Sequence, residues 1–226
     1  MAQGTRHRLS RTARRAVIED AAARLFAEQG YAATTFVQIA AAAGVTKQLL
    51  YQHVSSKREL HLSLLARHRD ALIGQIAPAM NTPGTAAERI HHTLDAWFSY
   101  LEDQPHAARL LFRDVTGDPE IEAFHEQMRN AARAANRSLL HNDTTFAIQP
   151  DEAELVAEIV RAATVGLALW WADHPEVPRN RIVEIGARTL THGLLTYARP
   201  AGGRDPPLPA VLVVAPGGFP PPGACW

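Results

Sequence analysis

The segment from residue 35 to residue 60 constrains the fold more than any other, because it holds two short helical patterns separated by a glycine. Thr35 is a good N-cap for the first helix, and Gly44 supplies the backbone freedom for a sharp turn. Thr46 then caps a second short helix. The first helix carries its apolar residues at the i, i+3 and i+4 spacing of an amphipathic helix, at Phe36, Ile39 and Ala40. Two short helices joined by a glycine-containing turn are the pattern of a helix-turn-helix motif.

The residues at the start of the second helix suit the recognition of DNA bases. In this motif the N-terminal end of the second helix reads base edges in the major groove. Lys47 can donate to guanine or to phosphate, and Gln48 can pair with adenine. Leu49 can contact a thymine methyl group or pack inside the motif. The sequence therefore predicts a protein that binds double-stranded DNA.

The distribution of charge supports this prediction although the formal net charge of the chain is zero. Residues 1–60 contain nine Lys and Arg and four acidic residues, which gives this segment a charge of +5 and leaves −5 for the other 166 residues. Charge asymmetry of this kind is typical of a chain with a nucleic-acid-binding end. A solvated basic arm that does not bind DNA would give the same count of charges, and it is the alternative interpretation.

Hydrophobic periodicity predicts an all-α fold of about nine helices. The first helix carries Val17, Ala21 and Leu25 at i, i+4 and i+8, is flanked by Ile18, Ala22 and Phe26, and stops at Gly30. A capping box at residues 85–88 opens the fifth helix. The predicted helices span residues 12–29, 36–43, 46–53, 57–76, 85–102, 105–115, 119–141, 151–172 and 178–197.

Composition divides the chain into four segments. We expect a flexible basic arm at residues 1–10, a DNA-binding domain at 11–56 and a helical effector-binding and dimerisation domain at 57–198. The tail at 199–226 holds eight Pro and five Gly, which predicts disorder. A single cysteine, Cys225, and the absence of a signal peptide pattern predict a cytoplasmic protein. The apolar run 162–172 is too short for a membrane span, so we expect no membrane contact.

Residues 12–65 carry several short sequence motifs whose combination is specific, although each motif alone is weak. They are Ala22-Ala23-Arg24-Leu25-Phe26 with Gly30-Tyr31, then Thr34-Thr35, then Ile39-Ala40 with Ala43-Gly44-Val45, and finally Leu50-Tyr51 with His53, Ser56-Lys57 and Leu60. This block resembles the DNA-binding domain of TetR-type transcriptional regulators. The resemblance implies a homodimer whose last two helices form a four-helix interface and whose middle helices enclose a pocket for a small molecule.

The resemblance and the residue types together give three sets of candidate site residues. The candidate DNA contacts are Thr35, Thr46, Lys47, Gln48, Leu49, Tyr51, His53 and Lys57. The candidate pocket residues are Trp97, Phe98, Tyr100, Leu101, Phe112, Phe124, His125 and Met128. The candidate dimer interface consists of Ala162, Gly166, Leu169, Trp170, Ile182, Gly186, Leu190 and Gly193. For the last two sets, ordinary packing within one subunit remains an alternative.

These observations favour a homodimeric repressor that a small-molecule effector releases from a palindromic operator. One alternative is an effector-independent regulator or activator whose middle helices form a solid core. A second alternative is an enzyme that uses the histidine-rich middle region. His91 and Asp95 share a helix face, but no HExxH or CxxC pattern accompanies them, so we expect no metal and no cofactor.

Overall fold

The computed structural model describes residues 10–113, 117–142 and 147–198, and within these ranges the chain forms nine α-helices and no β-strand. The helices are α1 (Arg11–Ala33), α2 (Phe36–Ala42), α3 (Lys47–Tyr51), α4 (Lys57–Met80), α5 (Ala86–Asp103), α6 (Ala107–Phe112), α7 (Pro119–Asn142), α8 (Pro150–Asp173) and α9 (Arg179–Leu195). The all-α prediction is confirmed. Residues 1–9 of the predicted arm and the predicted tail lie outside the described residues.

In the first helix the flanking row is buried more completely than the predicted apolar row, of which Ala21 is buried and Leu25 is half-buried. Ile18, Ala22 and Phe26 are buried, whereas Val17 is 41% exposed. The two rows lie side by side on the helix, so periodicity alone did not show which of them faces the core more fully. Gly30 interrupts the helix with a φ of +84°, a conformation that favours glycine, and thus ends its regular part as predicted.

Local capping explains why the short helices begin where the sequence predicts. The Thr35 side chain accepts from the Gln38 backbone N–H, and the Gln38 side chain accepts from the Thr35 backbone N–H at 2.8 Å. The same reciprocal pair joins Thr85 and Glu88 at the start of α5. Each pair satisfies two backbone donors that a helix leaves without an internal acceptor. The N-cap predicted at Thr35 and the capping box predicted at residues 85–88 are both confirmed.

The fourth helix extends further than predicted. The predicted helix ends at residue 76, but α4 includes Pro78 and continues to Met80. Asn81 closes the last turn, because its backbone N–H donates to Pro78 and its side-chain amide donates to the carbonyl of Ala77 at 2.8 Å. A proline removes one backbone donor, and near the end of a helix this loss is small enough to be tolerated.

The long helix α4 connects the two halves of the fold. Leu60, Leu64 and Leu65 are completely buried in its first half, where α4 packs against α1. Its second half packs mainly against α5, and α6 and α7 also contact it. The core is therefore continuous from the helix-turn-helix unit to the C-terminal helices. A displacement of α4 would therefore affect both the helix-turn-helix unit and the C-terminal helices.

One helix has the length and hydropathy of a membrane-spanning segment. Residues 151–173 of α8 reach a mean hydropathy of 1.5. Such a helix also occurs inside soluble folds, and α8 packs Ala153, Val156, Ala157 and Ala168 into the protein. Its other side is exposed, which makes it a candidate contact surface.

Candidate nucleic-acid interface and ligand cavity

The turn between α2 and α3 is held by two buried anchors and a glycine. Ile39 of α2 and Leu50 of α3 are completely buried. Gly44 takes a φ of +64° at the turn, and the Val45 backbone N–H donates to the Ala40 carbonyl at 2.9 Å. These contacts fix the second helix against the first, so the residues next to Leu50 have defined directions.

The side of α3 opposite Leu50 faces solvent and carries the polar residues that the sequence predicts. Thr46, Lys47 and Gln48 are exposed, and Tyr51 is 52% exposed. The Tyr51 ring meets Phe36 edge-on with centroids 5.1 Å apart. Thr35 is exposed at the start of α2, and Leu49 is half-buried. These exposed residues carry hydrogen-bond donors that can pair with the acceptor atoms of base edges and phosphates.

A basic edge of α1 lies beside the end of α3. Arg15 donates from Nη1 to the backbone carbonyl of His53 at 3.0 Å. Partial burial, together with the charges of Arg11, Arg14 and Arg15, holds the pKa of His53 below its usual value. This shift disfavours the charged form of His53 in the free protein. The arginines themselves add positive charge next to the exposed face of α3.

The Lys57 side chain makes its contacts within the subunit. Its ammonium donates to the carbonyls of Tyr31 and Thr34, each at 2.9 Å, and lies 4.2 Å from the centre of the Tyr31 ring. The interruption at Gly30 exposes these carbonyls at the end of α1. Burial lowers the pKa of Lys57, and the nearby Asp118 opposes this effect. These contacts fasten α1 to α4 and occupy the Lys57 side chain within the subunit.

A cavity of about 780 Å³ lies among the helices of the C-terminal half. This volume falls within the usual range for small-molecule sites. Among the eight predicted pocket residues, Trp97, Phe112 and Met128 line the cavity, and the rings of Trp97 and Phe112 stack with centroids 5.4 Å apart. The alternative in which the middle helices form a solid core does not fit this space.

The other five predicted pocket residues do not line the cavity. Phe98 is buried and meets Trp171 edge-on, and Leu101, one turn after Trp97, is buried without lining the cavity. The Tyr100 hydroxyl pairs with Nδ1 of His68 at 2.7 Å. His125 is buried, and Phe124 lies on a shallow groove between α4 and α7. Successive residues of a helix point about 100° apart, so aromatic content did not indicate which residues face the cavity.

Residues that the sequence interpretation missed form most of the cavity wall. They include Leu72, Ile73, Ile76 and Met80 of α4, Ile90 and Thr93 of α5, Ala132, Ala135 and Leu139 of α7, and Thr164, Val165 and Leu194 of α8 and α9. One signal could have pointed to them, namely the four alanines that flank Arg133 in residues 131–135 of α7. Small side chains opposite bulky residues of α4 leave space between two packed helices.

The C-terminal helices expose one apolar face and bury another. Leu155, Ile159 and Trp170 of α8 and Ile185 of α9 are each at least 40% exposed. Gly166 is also exposed, with open space around the position of a Cβ atom. The face continues through two exposed residues of the predicted interface, Ala162 and Gly193. Of the other predicted interface residues, Leu169 is half-buried, and Leu190, also half-buried, lines the cavity.

Two residues of the predicted dimer interface belong to the interior of one subunit. Ile182 is 5% exposed, and Gly186 is buried. A Cβ atom on Gly186 would lie 3.2 Å from Cδ2 of Leu167 and 3.5 Å from Cδ1 of Leu94. Both residues therefore allow α9 to approach its neighbours within the subunit. Their assignment to the dimer interface is wrong.

Polar contacts connect the helix-turn-helix unit to the start of α7. The Arg58 guanidinium pairs with Asp118 and Glu120, and the Tyr31 hydroxyl lies 3.4 Å from the same carboxylate of Asp118. Arg113 donates to the carbonyl of Ala27 at 3.1 Å. Since α7 also forms a wall of the cavity, these contacts link the cavity to the DNA-facing end.

The histidine-rich region offers no metal centre in the part of the chain that the structure describes. No group of three or more His, Cys, Asp and Glu residues is placed there to hold an ion. His91 and His92 are exposed, and Asp95 pairs with Arg179 of α9. His68 is occupied by Tyr100. The arrangement therefore supports packing and surface roles for these residues.

Comparison with known proteins identifies the N-terminal unit and the whole architecture. The family model for bacterial regulatory proteins of the tetR family matches residues 18–64. The transcriptional activator FasR of Mycolicibacterium smegmatis is 32% identical over 74% of this chain and 76% of its own length. The transcriptional repressor KstR2 of Mycobacterium tuberculosis is 32% identical over 70% of this chain and 81% of its own. A TetR-like regulator from Rhodococcus sp. RHA1 superposes with a TM-score of 0.70 at 21% identity, covering 83% of this chain and 98% of that structure.

Proposed function

The chain belongs to the TetR family of bacterial regulatory proteins and is a DNA-binding transcriptional regulator, not an enzyme, and we propose that it acts as a homodimeric repressor released from its operator by a small molecule. The observation that supports this proposal most directly is the exposed face of α3. Its polar residues are held outward by the burial of Leu50 on the opposite side.

We infer that each subunit inserts the start of α3 into the major groove. Lys47 and Gln48 contact base edges, while Thr35, Thr46 and Tyr51 contact phosphates or bases at the borders of the motif. Arg11 and Arg14 add attraction for the backbone beside the groove. Two such units in a symmetric dimer read half-sites about one helical turn, roughly 34–36 Å, apart or slightly more.

The dimer that we propose forms through the exposed apolar face of α8 and α9. Leu155, Ile159 and Trp170 expose a large apolar area to solvent in the isolated subunit. Contiguous exposed apolar surface marks an interaction site in soluble proteins. Pairing this face with its copy gives a bundle of four helices with closed two-fold symmetry.

The cavity is the site that we propose for the effector. It is bounded by α4, which also packs against the helix-turn-helix unit, and by α7, which contacts that unit through Asp118. An effector that fits better when these helices have moved apart would shift the population toward dimers with the wrong spacing of recognition helices. The protein would then leave its operator. As DNA is its target, we place the protein in the cytoplasm.

A second candidate is an activator, because FasR, a relative at 32% identity, is named as one. The two roles share the same DNA interface and differ in where the operator lies relative to the promoter.

A binding and transcription experiment tests the proposal. Purified full-length protein is titrated onto the DNA upstream of its own gene, and transcription from the same fragment is measured in parallel. A repressor binds and lowers transcription, an activator binds and raises it, and failure to distinguish this fragment from a scrambled one would contradict both roles. Loss of binding on addition of a small molecule supports the effector.

A further inference from the structure

We propose, on the basis of the DNA-reading role of α3 given above, that Glu19 of α1 is a positioning residue for DNA recognition. Its carboxylate joins Arg15, which holds the end of α3, to Arg67 of α4. Through these contacts the position of α4 determines the direction in which α3 meets the major groove. The contact at the end of α3, the shared carboxylate and the place of Arg67 on α4 lead to this proposal.

Three features fix the direction of α3. The turn at Gly44 holds its start, and the burial of Leu50 holds one side of it. Arg15 of α1 holds its end, because Nη1 donates at 3.0 Å to the carbonyl of His53, two residues past the last residue of the helix. Carbonyls at the end of a helix lack an intrahelical donor, so a guanidinium there completes the last turn. Without this contact, a helix of five residues could tilt about Leu50.

Glu19 holds the guanidinium that makes this last contact. It lies one turn after Arg15 in α1, and its Oε1 accepts from Nε of Arg15 at 2.7 Å. Arg15 thus uses Nε for α1 and Nη1 for the end of α3, and a guanidinium held at two edges has a fixed orientation. The Glu19 side chain is 16% exposed, so dissolved ions screen its charge less than that of an exposed carboxylate.

The other oxygen of the same carboxylate pairs with α4. Arg67 donates from Nη1 to Oε2 of Glu19 at 2.6 Å. Each oxygen of Glu19 therefore has its own guanidinium donor, one from α1 and one from α4. Charge-assisted hydrogen bonds are shorter and stronger than neutral ones, which favours a defined geometry over a loose association. A displacement of α4 at this level moves Glu19 and, through Arg15, the end of α3.

Arg67 belongs to the part of α4 that borders the ligand cavity. The next residue, His68, is buried and pairs through Nδ1 with the hydroxyl of Tyr100 in α5 at 2.7 Å. The residue after it, Arg69, lines the cavity. Successive side chains point in different directions around a helix, so this short stretch of α4 contacts α1, α5 and the cavity. The bridge at Glu19 thus connects the cavity-bearing half of the subunit to α3.

A second contact makes α1 follow α4 along most of its length. Lys57, ten residues before Arg67 in α4, donates to the carbonyls of Tyr31 and Thr34 at the other end of α1. The two attachments are roughly 15 Å apart along α4 at the helical rise of about 1.5 Å per residue. Of the two, the attachment at Glu19 is the one that continues to α3, so Glu19 and not Lys57 should control the direction of the recognition helix.

Removal of the Glu19 charge distinguishes positioning from simple electrostatics, because the two effects have opposite signs. Glu19→Gln removes a negative charge beside the basic edge of α1, and by charge alone it would strengthen binding to any DNA. Loss of the bridge should instead lower the preference for the upstream DNA over a scrambled fragment by about tenfold, which corresponds to roughly one base contact. Asp20→Asn, at the neighbouring exposed position, makes the same change of charge and should keep the preference. An equal preference in the two variants would overturn the proposal.

Two further sets of variants test the geometry and the path of this effect. Glu19→Asp keeps the charge but shortens the side chain by one methylene, so it should also lose part of the preference. Arg15→Gln and Arg67→Gln should each lower it, and the double variant should lose no more than the larger single loss, because both act through the same path. Additive losses would overturn the path through Arg15. Arg24→Gln, exposed on α1, is the control for the loss of a positive charge and should keep the preference.

Fluorescence anisotropy at fixed salt measures the preference, and urea unfolding confirms that each variant is folded. Exposed and partly exposed ion pairs contribute little to stability, so the unfolding midpoints should change only slightly while the DNA preference falls. A loss of preference that merely follows a loss of stability would overturn the positioning role. A wild type that binds both fragments equally would contradict the DNA-reading role of α3, whereas a normal preference in every Glu19 variant would overturn the bridge alone.

Discussion

Arg58 in the first turn of α4 and Asp118 at the start of α7 form an ion pair, with Nε and Oδ2 2.7 Å apart. Glu120 lies 2.8 Å from Nη1 of the same guanidinium. The pair joins the helix that supports the DNA-reading unit to a helix that lines the ligand cavity. It is therefore placed to influence the angle between the two parts of the subunit.

We expect this pair to show a coupling free energy that depends on salt and pH. Arg58 is 45% exposed, so dissolved ions screen the attraction. The hydrogen bond from Arg58 holds the pKa of Asp118 below its usual value of about 3.9. The stabilisation is thus present above that value and is lost as the pH falls through the lower folded-state pKa.

A double-mutant cycle with Arg58→Ala and Asp118→Asn measures this coupling in urea unfolding. A coupling that is positive at low salt and neutral pH and vanishes at high salt is the expected result. A coupling of zero at low salt would show that the two side chains do not stabilise each other in solution.

The stability of the protein should fall as the pH drops from about 6.5 to 4. His61 and His68 of α4 are each only 4% exposed, and burial lowers the pKa of each to about 4. His125 and Lys57 contribute further to the shift at His61, and Asp118 opposes it. Between the unfolded value of about 6.5 and the folded value, the unfolded state binds more protons, which costs roughly 1 kcal/mol per pH unit for each histidine.

Chemical denaturation across this pH range checks the prediction. His68→Gln should flatten the pH dependence, because glutamine can replace the hydrogen bond to Tyr100 but does not titrate. His91→Gln, at an exposed position of α5, is the matched control and should leave the slope unchanged. An equal slope in the wild type and in His68→Gln would contradict the assignment.

Local signals made the helix boundaries predictable from sequence. Thr35 and Thr85 cap helices through residues three positions away, and Gly30 and Gly44 bend the chain by their own conformational freedom. Such signals need no knowledge of the rest of the fold. The exposed face of α3 was predictable for the same reason, since a single buried residue, Leu50, fixes its orientation.

The cavity and the outer face of the C-terminal helices depend on tertiary packing, which the sequence pattern does not contain. Trp97 and Phe98 are adjacent aromatic residues, yet only Trp97 lines the cavity. Gly166 and Gly186 both lie among apolar residues, yet only Gly186 is buried in its subunit. Helices that are apolar on more than one side do not reveal from periodicity which side faces a partner.

The two glycines give a contrasting pair of predictions. Gly166→Arg should leave the subunit folded but weaken the dimer, because it places a charged side chain within the exposed apolar face. Gly186→Arg should instead destabilise the subunit, by roughly 3–5 kcal/mol, because the side chain has no space beside Leu167. Sedimentation and thermal melting distinguish the outcomes. A Gly166→Arg variant that remains a dimer and binds DNA normally would move the interface elsewhere.

Lys57→Met should lower stability rather than remove a specific DNA contact. The substitution deletes two hydrogen bonds from the ammonium to the carbonyls of Tyr31 and Thr34, a loss of roughly 1–3 kcal/mol. Urea unfolding measures this loss, and operator affinity is compared well below the melting temperature. Unchanged stability with a large loss of DNA affinity would restore a phosphate-binding role for this side chain.

The recognition face of α3 leads to the sharpest mutational prediction. Lys47→Ala removes an exposed cation and should weaken operator binding by roughly 1–3 kcal/mol without affecting folding. Tyr51→Phe keeps the ring packed on Phe36 and removes only the hydroxyl, so a smaller loss is expected. Circular dichroism confirms that both variants are folded, and Gln52→Ala, exposed just past the end of α3, is the nearby control.

Fluorescence anisotropy at fixed salt tests the central claim that α3 reads an operator. The wild type and Lys47→Ala are titrated onto the labelled upstream DNA and onto a scrambled fragment of equal length. The wild type should bind the upstream DNA at least about a thousandfold more tightly, and Lys47→Ala should lose roughly tenfold or more of this ratio. Equal affinity of the wild type for the two fragments, or an unchanged ratio in Lys47→Ala, would contradict the account.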